Sequence, residues 1–501
     1  MPKCFKKITA LFLAGVIALS FAACSSGGES EEDTTVSTQP ADMPKSDTPL
    51  RISYTKSDSL NPYKAETQNN IVIADLVFDT LFRLDETFSP ILELAGSYEF
   101  TDATTLNVTY RSGAVFSDGS ALQSGDILAS FEAAKDSPIY SGALSGIRSA
   151  SAGAGSTIVF ELAYANPNAA SLLTFPILKA SEIDSDLPLG SGRYAFDEDD
   201  SGNITLVQNT KKENFEPFIQ SIRLVNIASS ESIANGISID NIDYAFFSLD
   251  DEDAKSIKSQ TKQVNINNLV YLGFNTASSS IMSNAALRQA VSLAISRDTI
   301  AKSAYHGYAL AATSIFNPAC TLAEVSAIFA EDSNASAAQQ AITQSGADLN
   351  KNTVRLIVNR ENASRTAAAT VIETALEAVG FTVDVRQLSY SDYTQALEKG
   401  QYELYLGETK LSDDMCLYPF FQKDGALHYG INENGASAKA YASYLGGSEI
   451  ETFVSEFASE MPFVPLVYRR GIIGYSKDLH GDMQGIYKNY FSNIEEWYFE
   501  D

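Results

Sequence analysis

Three histidines, four cysteines and two closely spaced aspartates are the residues from which catalysis would have to be built. A Ser-His-Asp hydrolase needs a histidine beside a nucleophile, with an orienting carboxylate behind it. His306, His428 and His480 are the only histidines, and neither a GxSxG elbow nor an HExxH pair occurs. His306 follows a run of helical periodicity and reads as a surface residue or helix-end partner. Cys4, Cys24, Cys320 and Cys416 form no CxxC spacing, so neither a redox nor a zinc motif is present. A Cys320–Cys416 disulfide stays open, because sequence alone does not place two cysteines within bridging distance. Asp118 and Asp126 have the types for paired acid–base work, but Asp118-Gly119 is a turn pair and Asp126 precedes an apolar helical run as a cap. Gly190-Ser191-Gly192 lacks the Lys-Ser/Thr of a phosphate loop and opens no helical pattern.

The elements that would position any site are those of an α/β chain. Leu269 to Phe274 is a short apolar run bounded by Asn275, which predicts a strand buried on both faces. Leu287, Ala290, Val291, Ala294 and Ile295 then recur at helical spacing, with Ser283 or Asn284 as cap. Asp298 is placed to cap a second short helix, and Gly307 to stop it. Upstream, Leu50, Ile52 and Tyr54 alternate as a half-buried strand, broken at Leu60-Asn61-Pro62, and a helical face runs from Ile71 to Leu84. Leu106, Val108 and Tyr110, and later Ile158, Phe160 and Leu162, alternate as strands. An apolar helix is expected through Leu172, Leu173 and Phe175. From Thr353 the pattern becomes strand, helix stopped by Gly380, strand, helix begun by Ser389 with Asp392 and closed by Gly400, then a strand at Leu404–Leu406. That rhythm implies a mostly parallel sheet with right-handed crossovers.

A chain of 501 residues is too long for one core. Its formal charge of −28 and pI near 4.5 argue against nucleic acid or an anionic lipid surface as a direct partner. Lys3, Lys6 and Lys7 precede an apolar stretch from Ile8 to Phe21, shorter than a membrane span, and Ala22-Ala23 stands before Cys24. Phe21-Ala22-Ala23-Cys24 resembles the lipobox of bacterial lipoproteins. That resemblance implies a signal peptide over 1–23 and lipidation of Cys24. Residues 24–48, rich in Ser, Gly, Glu, Asp and Thr, read as a flexible acidic linker.

Ordered segments along the chain resemble one known family. They include Phe274-Asn275-Thr276 followed by RQAVSLAISRDTI and HGYA, the Leu-Asn-Pro turn at 60–62, and DLVFDTLFRLD at 75–85. FSDGSALQSGDILAS at 116–130, PLGSGRY at 188–194, Asp240 to Tyr244 and PLVYRR at 465–470 follow the same pattern. Together they resemble the peptide/nickel family of ABC-transporter substrate-binding lipoproteins, the family 5 extracellular solute-binding proteins that include oligopeptide and dipeptide binders. The resemblance implies an α/β, periplasmic-binding-protein-like fold: two lobes in three domains, with hinge-crossing strands and mixed sheets. Its domains would be a first lobe of 49–84, 189–264 and 475–501, a small extra domain at 85–188, and a second lobe at 265–474. It implies a monomeric binder rather than an enzyme, without cofactor, lipid-anchored at the extracytoplasmic face of the membrane. Such a protein captures peptides by hinged closure and delivers them to the permease of an ABC importer.

In that family an aspartate in the loop after a strand takes the ligand's α-amino group. The corresponding stretch is Gly407 to Met415, which places Asp414 at the matching position and Asp413 as its neighbour and rival. The family's tryptophan and prolines are missing there, and a solvated turn is the alternative for both aspartates. Glu408 and Lys410 would line the pocket, with Tyr429, Arg469 and Asn61 as further ligand contacts. A nickel chelate with His428 as metal partner is the alternative ligand. An oligosaccharide would call for aromatic platforms, and Trp497 is the only tryptophan. A secreted hydrolase is the reading from another class.

Overall fold

A computed structural model of the protein describes residues 46–249, 257–423 and 425–500. The expected signal peptide, Cys24 and most of the expected linker lie outside these residues. Ser46 falls inside the stretch expected to be loose, yet it is buried and bridges Ile219.

Eleven strands form one mixed sheet: β1 (Leu50–Tyr54), β2 (Tyr194–Glu198), β3 (Ile204–Gln208), β4 (Ser221–Asn226), β5 (Tyr244–Phe247), β6 (Gln260–Phe274), β7 (Ala309–Ala311), β8 (Thr353–Asn359), β9 (Thr382–Leu388), β10 (Leu404–Lys410) and β11 (Phe463–Tyr475). Their spatial order is β9-β8-β10-β6-β11-β5-β1-β4-β3-β2, with β7 paired to β11. The run from Thr353 behaves as its rhythm predicts, with β8 parallel to β9 and to β10. The sheet as a whole does not: β6 and β11 run antiparallel to each other and to their other neighbours, so parallel segments flank an antiparallel centre. The apolar run Leu269–Phe274 is buried at every position, as expected of a strand covered on both faces.

β6 and β11 are also the longest strands, and they tie the two ends of the sheet together. Gln260 pairs with Tyr475 at one end and Gly273 with Phe463 at the other. Between Asn265 and Leu269 the register slips, which is a β-bulge, and bulges re-aim the residues they contain.

A separate four-stranded antiparallel sheet is made by residues 95–102, 105–110, 157–162 and 147–152. Inward Leu106, Val108, Ile158 and Phe160 are fully buried there, and Phe131 meets Phe160 and Phe175 ring to ring. The helix expected from Ile71 to Leu84 is α1, Gln68–Val77. It ends early because the 190–192 segment crosses its last turn: Gly192 N–H donates to the Val77 carbonyl, and Phe78 turns extended. Leu81 and Leu84 remain buried, in and beside the strand Phe82–Leu84. A Cβ on Gly190 or Gly192 would lie 2.1 or 2.6 Å from the Val77 carbonyl oxygen, so these glycines serve close packing rather than a phosphate.

Other caps moved by a few residues. Gln123 caps α2 (Ser124–Asp136), with Asp126 as the returning member of a capping box. Asn284 caps α3 (Ala285–Ala294) as expected, but Ser296 rather than Asp298 caps the next short helix. Only a 3₁₀ turn, Ala169–Leu172, forms where the apolar helix through Phe175 was expected. Asp240 takes a left-handed φ of +55°, a conformation that glycine adopts more readily, at the start of the Asp240–Tyr244 turn. Asp243 beneath it is fully buried, bonded by Arg51 through both backbone and guanidinium. Gly307 takes φ +84° where the stop was expected, with exposed His306 just before it.

Candidate functional site

A cleft of about 430 Å³ opens between two groups of elements. One wall is Ile71 and Ala74 of α1, Tyr140, Thr174, and the 487–490 segment near the C-terminus. The facing wall is Thr409 to Asp413, then Cys416, Pro419 and Leu427. A smaller pocket of about 250 Å³ against β1 and β5 carries no charged side chain among the described residues.

The bulge in β6 builds the second wall. It turns Asn267 so that its side-chain amide donates to the carbonyls of Leu411 (3.2 Å) and Ser412 (2.8 Å), while Leu411 N–H donates to the Asn267 carbonyl. The loop leaving β10 is therefore pinned one residue before the aspartate pair. A turn follows, closed from Met415 N–H to the Ser412 carbonyl, with Met415 at φ +58°. This geometry sends the two neighbouring carboxylates apart. Asp413 faces the cleft and accepts from Lys488 Nζ (2.5 Å) and Thr174 Oγ1 (3.3 Å). Asp414 points away from the cleft. Its two oxygens accept from Asn166 Nδ2 (2.6 Å), Ser412 Oγ (2.5 Å) and Cys416 N–H (3.2 Å). Burial pushes the Asp414 carboxyl above its ordinary range, and those hydrogen bonds offset part of the rise. Close by, Tyr164 stacks on Tyr418 with ring centroids 4.0 Å apart.

The remaining sequence-derived residues do not gather there, apart from Lys410. Its Nζ lies 5.1 Å from the centre of the Tyr487 ring, and it lines the cleft. Glu408, partly buried, forms an ion pair with Arg469 (2.8 Å), with Arg365 at 3.6 Å, and Arg469 also donates to the Leu249 carbonyl. Neither Glu408 nor Arg469 lines the cleft. Tyr429 lies in a cluster of tyrosines, its carbonyl accepting from Tyr405 Oη. Asn61 is fully buried, donating to the carbonyls of Ile183 and Ser185. His428 is exposed, and among the described residues no group of three or more His, Cys, Asp or Glu side chains is placed to hold a metal. Cys320 and Cys416 form no disulfide among the described residues; burial pushes their thiols up to about 11 and about 12. Asp118 sits in its turn, 2.5 Å from Lys179 Nζ; that bond, with those from Ser120, holds its carboxyl at about 2.

Lys488, Thr174, Asn166, Tyr140 and Tyr487 were not picked out by sequence reasoning as site residues. Nothing in the spacing of Asn166 pointed to Asp414, 248 residues later. Arg83 adds a charged margin to the cleft, joined to Asp75 and, at 2.7 Å, to Glu93. Burial alone would raise the Glu93 carboxyl, but the charges of Arg83 and Lys212 outweigh it and hold it at about 2. Asp79, sealed beneath Ser191 and beside Lys212, is pushed up to about 7 by burial and then by Glu93. It is almost wholly buried, which suits structure better than acid–base work.

The profile of the bacterial extracellular solute-binding proteins, family 5 Middle, matches residues 89–426. A search of curated protein sequences found no match. Among solved structures, the ABC transporter substrate-binding protein CtaP from Listeria monocytogenes is similar at TM-score 0.70 and 18% identity, covering 91% of this chain and 99% of that one. The oligopeptide-binding protein AppA from Bacillus subtilis, in complex with a nonapeptide, is similar at TM-score 0.57 and 18% identity, covering 91% and 99%. NikZ from Campylobacter jejuni, in complex with Ni(L-His), is similar at TM-score 0.61 and 18% identity, covering 90% and 99%.

Proposed function

The chain belongs to the bacterial extracellular solute-binding proteins of family 5, and we propose that it captures peptides and passes them to the permease of an ABC importer. The observation that carries the peptide reading is the almost fully buried Asp413 carboxylate, fixed by the pinned 411–415 loop and facing a cleft of about 430 Å³. A charged ligand end leaving water needs a partner of opposite sign, and Asp413 is the side chain in the second wall that offers one to an ammonium. Asp414 instead ties this loop to Asn166 across the cleft's flank. The nonapeptide held by the B. subtilis AppA neighbour supports the same reading.

Residues 49–84, 189–264 and 475–501 act as one lobe, 85–188 as its extra domain, and 265–474 as the second lobe. β6 and β11 cross between the lobes as the flexing elements, and the ligand favours closure by the difference of its affinities for the two forms. The protein works as a monomer, held at the extracytoplasmic face of the membrane through acylated Cys24. Mass spectrometry of solute carried through native purification tests this reading. Intact short peptides with free amino termini are expected. A nickel chelate in their place, as the NikZ neighbour holds, or a consumed ligand, overturns it.

A further inference from the structure

Asp413 already holds an ammonium, and that ammonium belongs to the chain itself. Lys488 Nζ lies 2.5 Å from Asp413 Oδ2 and 3.5 Å from Thr174 Oγ1, with the Tyr487 ring centre 5.9 Å away. A carboxylate, a hydroxyl and an aromatic face are what a primary ammonium seeks when it leaves water: a counter-charge, a second acceptor and a π cloud. The two partners are not equally fixed. The Asp413 side chain is 3% exposed and pinned through its loop, whereas the Lys488 side chain is 24% exposed and reaches in from the opposite wall. Lys488 also sits at φ +57°, a backbone conformation that a lysine rarely adopts and that its surroundings must hold. Lys410 Nζ also lies over the Tyr487 ring, 5.1 Å from its centre, and no carboxylate lies within ion-pair distance of it among the described residues. An anionic ligand end therefore has a cation to meet without drawing Lys488 from its partner.

We propose that Lys488 is an internal occupant of the amine site: its ammonium fills the Asp413–Thr174 cradle when the cleft is empty and is displaced by the ammonium of the arriving ligand. This rests on the peptide reading of the cleft and deepens it. The buried carboxylate is never left bare, which avoids the cost of an unpaired charge out of water. Every ligand must also supply its own ammonium in exchange, so solutes with a blocked or missing amine are refused at the same position. Lys488 thereby becomes a specificity-determining residue whose removal strengthens binding.

The test has two arms. In the first, Lys488→Ala is melted with n-butylammonium, which replaces the deleted side chain, and with n-butanol as neutral control. At concentrations well above its dissociation constant, the amine should raise the melting temperature of Lys488→Ala by about 2–4 °C, through binding to the folded form alone. The wild type should respond less, because Lys488 competes for the cradle, and Asp413→Asn/Lys488→Ala should not respond. In the second, wild type, Lys488→Ala and Lys488→Met, which keeps the side-chain stem, are equilibrated with a synthetic set of di- to pentapeptides, free and N-acetylated. Both variants should retain free-amine peptides more tightly than the wild type, by up to about fivefold, the scale of a partly exposed ion pair removed from competition. Acetylated peptides should be unaffected. Weaker retention by Lys488→Met would show that the lysine grips the ligand's carboxylate, and would overturn the proposal. No amine-specific rescue together with unchanged retention would reduce the pair to a structural bond and overturn it as well. Rescue by n-butylammonium with no peptide retained by any form would uphold the cradle and overturn the peptide reading instead.

Discussion

Asparagine placed in turn at 413 and 414 should have opposite consequences, although the two side chains are neighbours in sequence. At 414 three donors converge on two carboxylate oxygens. An asparagine amide keeps one acceptor oxygen, so the Asn166 amide or the Ser412–Cys416 pair must then face an NH₂ group. Losing a buried hydrogen bond in this way costs about 1–3 kcal/mol of stability, while affinity should change little, because the side chain lies outside the cleft. At 413 the same change removes the counter-charge for a ligand's ammonium. Truncating one side of a buried charge pair typically costs about 2–5 kcal/mol. Here the wild type must first release Lys488, an ion pair of roughly 1 kcal/mol or less, so the net loss should lie near the lower bound, about 2 kcal/mol or roughly 30-fold in affinity. Calorimetry with one recovered peptide, free and N-acetylated, reads both effects alongside thermal melts. Asp413→Asn should lose affinity for the free peptide, and acetylation should weaken the wild type far more than this variant. If Asp413→Asn binds the free peptide like the wild type, or if Asp414→Asn alone loses affinity at unchanged stability, the division of labour drawn from the turn is refuted.

Gly190→Ala should destabilise the fold by about 3 kcal/mol or more, visible as a lowered denaturation midpoint, because its Cβ would meet the Val77 carbonyl oxygen at 2.1 Å, a backbone atom that cannot swing aside. The Asp118 carboxyl should titrate at about 2 by NMR, and Lys179→Ala should return it towards the ordinary carboxylate range. With a folded value below the unfolded one, the stability from this pair is complete above pH 4 or so and lost as pH falls through about 2, so the wild-type advantage over Lys179→Ala should shrink in acid. Cys24→Ser should shift the protein out of membrane fractions, since acyl chains contribute about 0.8 kcal/mol per buried CH₂; an unchanged membrane fraction would remove the lipid anchor from the proposal.

Local patterns foretold most of the elements because burial is written in periodicity. Leu269–Phe274 and the strand–helix succession after Thr353 formed as read. Errors arose where a distant segment decides a local outcome. α1 stops at Val77 because Gly192 arrives from 115 positions later to bond its last carbonyl; nothing in the 71–84 periodicity carries that contact. The site shows the same limit more sharply. Motif order brought the aspartate pair to attention, but which of two adjacent carboxylates faces the cleft depends on a bulge at 265–269 and on a left-handed residue at 415. Lys488 was invisible for the same reason: it lies 75 residues from Asp413 and meets it only through the fold.

The central place of β11 also bears on how the molecule is made. This strand pairs with β5, β6 and β7, yet it begins only at Phe463, after all three in the chain. A growing polypeptide emerges from its N-terminus, so until the stretch from Phe463 has appeared the edges of β5 and β6 that face β11 lack their partner, while their other edges can already pair with β1 and β10. Each would remain an open template, prone to the wrong neighbour. The nascent chain is thus kept from completing its fold by the order of its own sequence. A polypeptide that must be threaded through a membrane before it folds gains from that delay.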